Sequence, residues 1–200
     1  MKRFAFALSA LACTAVTFAF AQAKTPPPSA PVTQKPMTAA SPITDAERAT
    51  YNAYKNYLLK SAEQMPEKEY ASRPATMPAS DGKEIRNFGE VLSHIAEENG
   101  LFCGTAAGAK EPPSTKPTGP TKAAIQKALA DSFMVCDRAW GATTDQNAVT
   151  PVDLPFGLGK STRLAALSFN TAHDAEHYGN VVTYLRAKGL VPPSSQPSGK

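Results

Sequence analysis

An all-α fold, a bundle of about four helices, is what this sequence predicts, and three observations carry the prediction. Apolar residues recur at spacings of three and four over four stretches between Thr44 and Leu190, the period of a helix with a buried face. Residues that start or stop helices bound those stretches, and the stretches between are rich in proline and glycine. The one segment with extended character, Val149 to Phe156, carries Pro151 and Pro155, which argue against a paired central strand.

The first 23 residues read as a cleavable signal peptide. Lys2 and Arg3 form a positive n-region, Phe4 to Phe20 are apolar, and Ala19-Phe20-Ala21 or Ala21-Gln22-Ala23 offers a small-x-small cleavage site. The mature chain then begins near Gln22 or Lys24 and is periplasmic or secreted, with no stable membrane insertion after cleavage. A lipoprotein tethered at Cys13 is the weaker alternative, because apolar residues continue past it and Ala10 stands where a lipobox usually has leucine. An uncleaved anchor is weaker too, since the apolar run is at the short limit for spanning. Residues 24–42, with Pro26-Pro27-Pro28, hold almost nothing to bury and read as a solvated, disordered linker; residues 194–200 read as a similar tail.

Loss of Lys2 and Arg3 lowers the net charge from +4 to +2, which is near neutral. No basic stripe with interleaved aromatics remains, so nothing argues for a nucleic-acid groove and none is expected. The remaining length, about 175 residues, suits one domain with a sizeable core, expected over residues 43–193.

Within that domain, Thr44-Asp45-Ala46-Glu47 predicts a capping box, and Tyr51, Tyr54, Leu58, Ala62 and Met65 share one face of a first helix ending near Gln64. Asn87-Phe88-Gly89-Glu90 is a second box; Phe88, Val91, Leu92, Ile95, Asn99, Phe102 and Cys103 then mark helix two. Past the breakers Pro112 to Pro120, the residues Ile125, Leu129, Ser132, Phe133, Cys136 and Trp140 mark helix three, ending at Gly141. Helix four starts near Ser161 or Thr162 and ends with Arg186 and Lys188 against its negative end. Gly189 is the expected left-handed cap, Leu190 its apolar contact, and Pro192-Pro193 prevent continuation.

The chain contains three histidines, and all three fall in predicted helices. His173 and His177 are one turn apart on a face shared with Ala166, Phe169, Asn180 and Tyr184, close enough for both rings to reach one ion. The other side of that helix carries Leu164, Leu167, Thr171, Ala175, Tyr178, Val182 and Leu185, so both sides have reason to be covered. His94 flanks the apolar stripe of helix two and could supply a third nitrogen. Spacing alone leaves the bland alternative open, with His94 a solvated flank residue and the pair a surface feature or a satisfied core pair. Residue 174 is aspartate where zinc proteases of the HExxH type have glutamate, which disfavours that chemistry.

The segments Phe88-Gly89-Glu90-Val91-Leu92-Ser93-His94-Ile95-Ala96, with Asn99 and Phe102-Cys103, and His173-Asp174-Ala175-Glu176-His177-Tyr178-Gly179-Asn180 through Arg186, resemble the DinB family. Met65-Pro66, Tyr70, Arg73-Pro74 and Gly189 to Pro193 match its pattern as well, so the resemblance covers about Thr44 to Pro193. It implies a four-helix bundle of up-down-down-up topology, and a divalent metal held by His94, His173 and His177. Three nitrogen ligands would leave a position open for water or substrate. Imidazole suits zinc, nickel or iron, so the donor set does not choose the metal.

Cys103 and Cys136 are the thiols that survive processing, and an even count in an oxidising compartment favours a disulfide. The family's topology makes helices two and three parallel, which would bring these residues together. Two function readings follow from the resemblance: a metal-dependent enzyme, a hydrolase or thiol transferase acting on a small molecule, or a non-catalytic, stress-associated metal-binding bundle. No general base is assignable. Asp174 and Glu176 should point roughly 60 to 100 degrees away from the histidine face, and they, like Glu97 and Glu98, read as solvated groups or as groups behind the ligands. Homodimers are common in such bundles, although no spare apolar stripe demands one here.

Overall fold

The computed structural model describes residues 41–73 and 85–197. The signal peptide, the linker up to residue 40, Pro74 and the last three residues lie outside the described residues. Four α-helices are found among those described: α1 (Pro42–Gln64), α2 (Phe88–Ala106), α3 (Lys122–Gly141) and α4 (Arg163–Ala187). None of them is long and apolar enough to cross a membrane.

Helices α2 and α4 start as their sequences predict, and α3 starts just past the expected breakers. Asn87 Oδ1 accepts from the Glu90 amide at 2.8 Å while Glu90 Oε2 accepts from the Asn87 amide at 2.7 Å, a complete capping box. Thr121 and Thr162 cap α3 and α4 through their hydroxyls. The exception is α1, where the box expected at Thr44 and Glu47 does not form. The helix begins earlier, at Pro42, whose ring presets the first helical φ and whose missing N–H would have no partner there anyway. Asp145, on the far side of the sequence, caps it instead: its carboxylate accepts from the Ile43 amide at 3.2 Å and the Thr44 amide at 2.8 Å. The end of α4 follows expectation in detail. The Leu190 amide donates to Leu185 O at 2.9 Å, the Gly189 amide to Arg186 O at 3.0 Å, and Gly189 has φ +72°.

Side-chain pairings give the helix directions. Along α2 and α3 the pairs Asn99–Ser132, joined at 3.2 Å, and Cys103–Cys136 advance together, so these helices run the same way. Along α2 and α4 the pairs Phe88–Tyr184, His94–His177 and Phe102–Phe169 run in opposition. Tyr54 meets Tyr178 and Glu47 meets Ser168, so α1 runs with α4; Lys55 meets Asp137 and Gln126 meets Ala62, so it runs against α3. Because α2 and α3 share a direction, the two cysteines near their C-terminal ends lie 4.9 Å apart at Cα and form a buried disulfide. Leu58, Phe88, Leu92, Ile95, Leu129, Phe133, Trp140, Leu167 and Leu185 fill the space between the helices.

Two connecting segments depart from expectation. Residues 151–162 form an antiparallel hairpin of β1 (Pro151–Leu154) and β2 (Gly159–Thr162), with Pro151 opposite Thr162. In a two-stranded ribbon both strands are edges, and Pro151 opens its strand, so the prolines that argue against a central strand are tolerated. The C-terminal segment contacts the bundle as far as Gln196, whose Nε2 donates to Gln64 Oε1 at 3.1 Å, where a solvated tail from Ser194 is expected. Pro193–Ser195 form a single 3-10 turn, and the Ser194 amide donates to the Tyr178 hydroxyl at 2.9 Å.

Candidate metal centre

The three histidines come together. His94 on α2 and His173 and His177 on α4 each offer a ring nitrogen, all within 4.8 Å of one another. The antiparallel pairing of α2 and α4 brings His94 opposite the pair, and the one-turn spacing on α4 sets His173 and His177 edge to face with ring centroids 4.4 Å apart. His94 Nε2 and His173 Nε2 are 3.2 Å apart. Two nitrogens each about 2.0–2.1 Å from one tetrahedral ion would stand about 3.3 Å apart, so this separation suits a shared ion.

The surroundings keep the rings neutral. Burial, then the Arg86 guanidinium and His177, push the pKa of His94 down to about 4. Burial, then His177 and His94, push that of His173 down to about 3. His177 is lowered mainly by burial, with Glu176 acting the other way. Neutral imidazoles have a lone pair to give, which a cation would meet and a proton meets poorly here.

Polar groups lie beside the Nδ1 atoms of His94 and His177. His94 Nδ1 lies 3.7 Å from Glu98 Oε1, one turn along α2, which leaves Nε2 for the centre. A carboxylate behind a ligand histidine orients the ring and raises its basicity. Burial, and secondarily Glu97, raise the pKa of Glu98 above the usual carboxylate value, while Arg86 opposes this. The Asn180 side-chain nitrogen is 3.2 Å from His177 Nδ1, and turning that amide over would present its oxygen to an Nδ1–H. Glu98 Oε2 and His173 Nδ1 are buried and have no hydrogen-bond partner among the described residues.

Asp174 departs from its expectation. It is neither solvated nor behind a ligand: it is fully buried in the core, where Asn170 Nδ2 donates to its Oδ2 at 3.4 Å and burial raises its pKa far above the carboxylate range. Asn170 Nδ2 also donates to Asn99 Oδ1 at 2.7 Å, so a polar seam through Asn99, Ser132, Asn170 and Asp174 joins α2, α3 and α4. Arg86, whose charge bears on all three histidines, was not singled out by spacing because it stands outside any helix.

Three imidazoles from two antiparallel helices make this a helical-bundle protein with a site that can hold a metal ion. The DinB superfamily model matches residues 51–181, and the chain belongs to that superfamily. A comparison with curated proteins finds no match.

Proposed function

We propose that this is an exported, metal-dependent enzyme of the DinB superfamily, a hydrolase or thiol transferase whose divalent ion is held by His94, His173 and His177. The convergence of three neutral imidazoles, two of them 3.2 Å apart at Nε2, carries this reading. Such an ion supplies Lewis acidity, polarising a substrate oxygen or sulfur. The protein's own part is to fix the donor atoms: Glu98 orients His94, Asn180 orients His177, and burial keeps the rings free of protons. Three protein donors leave coordination space for a small-molecule substrate, unlike a closed structural site. Zinc, nickel and iron all suit this donor set. The Cys103–Cys136 disulfide fits an oxidising compartment and supports export.

A purely structural role for the ion is the less supported alternative, since an extensive core and a disulfide already bind the helices. Elemental analysis of protein taken from its own compartment tests the proposal, together with an esterase, amidase and thiol-transfer screen. We expect near one ion per chain, its loss in His173→Ala, and little change in the melting temperature of that variant. Absence of bound metal would refute the metal site; a collapse in stability on metal loss would favour the structural role.

A further inference from the structure

A groove of about 300 Å³ lies along α2, lined among others by Glu97, Glu98 and Leu101 of that helix, Pro113 and Lys116 of the following loop, and Phe156 of the hairpin. Glu98 links it to the histidines, because it lines the groove and stands behind His94. Its volume is at the small end of small-molecule sites.

The walls are built rather than incidental. Gly100 and Gly104 lie one turn apart on α2 and let the loop rest directly on the helix. A Cβ at Gly100 would be 2.2 Å from Thr115 Oγ1 and 2.6 Å from Pro113 O, and one at Gly104 would be 2.9 Å from Pro112 Cβ. The Thr115 hydroxyl donates to Ala96 O at 2.5 Å and pins the loop there. The opposite wall is unusual. Phe156 has φ +58° and is 69% exposed, so a large apolar ring is held in a left-handed backbone at the hairpin tip. Such a conformation is disfavoured for a non-glycine residue and tends to mark functional places. Its ring meets Phe102 at 6.1 Å, Phe102 meets Phe169 at 4.9 Å, and Phe169 is one turn before His173. Aromatic contacts therefore run from the groove through Phe102 to Phe169 on α4.

Resting on the reading of the histidines as a metal centre, we infer that this groove holds the organic part of the substrate, an aromatic or alkyl body bearing a primary amine. Leu101, Pro113 and Phe156 supply an apolar wall for the body. Two carboxylates, Glu97 and Glu98, against one ammonium, Lys116, leave the lining negative, and an aromatic face adds attraction for a cation. The same body with a carboxylate in place of the amine would meet this charge unfavourably.

The test is a titration of the full chain, metal-loaded and metal-stripped, with 2-phenylethylamine and with 3-phenylpropionate, followed by calorimetry and ligand-observed NMR. We expect the metal-stripped form, in which no ion can ligate the carboxylate, to bind the amine at least about fivefold more tightly than the acid. Phe156→Gly, which removes the ring and suits the left-handed backbone, should weaken amine binding by about fivefold or more. Glu97→Gln should erase most of the preference for the amine. Equal or tighter binding of the acid by the metal-stripped form, no binding of either probe, or amine binding indifferent to Phe156→Gly overturns the assignment. A protein that takes up no metal yet binds the amine with these dependences keeps the groove and loses the metal centre. One that binds metal and ignores the amine loses the groove alone.

Discussion

At the scale of single residues, Glu98 stands behind one histidine of the proposed centre. It sits one turn from His94, with its Oε1 3.7 Å from the ring Nδ1. In a metal-loaded centre that nitrogen would carry the proton and donate it to the carboxylate, fixing the ring with Nε2 inward. Glu98→Gln keeps the size but loses the charge. We expect it to weaken metal affinity by about tenfold to a hundredfold, the usual effect of removing such a group, with helix content unchanged. Competition against a chelator of known affinity measures this. Affinity equal to that of the unaltered protein would show that His94 needs no such support.

At the scale of elements, helix ends and spacings were readable and their long-range partners were not. The box at Asn87, the cap at Gly189 and the one-turn pairing of His173 with His177 are local patterns, and each appears as expected. The cap of α1 was hidden because its acceptor, Asp145, is a hundred residues away, while a false local match at Thr44 lay inside the helix. The buried side of α4 was hidden by its chemistry. Its centre line carries Asn170 and Asp174, both fully buried, so an apolar pattern splits into two flanking faces around a polar middle. The hairpin was hidden by its prolines and by pairing only with itself.

The α1 cap carries its own prediction. The Asp145 pKa is lowered chiefly by the backbone hydrogen bond from Thr44, with Ile43 contributing and desolvation opposing. A carboxyl depressed in the folded state adds stability above its unfolded pKa, and this is lost as pH falls through the folded value. Asp145→Ala should therefore melt below the unaltered protein at pH 7, and the gap should narrow below about pH 4. Asp145→Asn, which keeps an acceptor, should lie between the two. A gap independent of pH would mean that the loop, rather than the charge, holds α1.

For the whole molecule, the question is what makes four helices present His94 and the α4 pair to one point. The hydrophobic core presses the helices together, but α2 bears most of the precision: it pairs with α4 through the histidines, with α3 through Asn99 and the disulfide, and with its own following loop through Gly100 and Gly104. The disulfide closes a stretch of 33 residues between helices that already run side by side. Its main effect should fall on the unfolded chain, whose freedom it restricts, and little on the position of His94, more than two turns away along α2. The double variant Cys103→Ala, Cys136→Ala should then lose about 2–4 kcal/mol of stability in denaturant titration while metal affinity changes by less than about threefold. A free-thiol assay on the unfolded, unreduced protein gives an independent check. It should find one reactive thiol, Cys13, if the leader is retained, and none if the leader has been removed. Two further thiols per chain would show the bridge unformed. A large loss of metal affinity in the double variant would instead make the disulfide part of the site's own scaffold, with α3 positioning α2 through that bond.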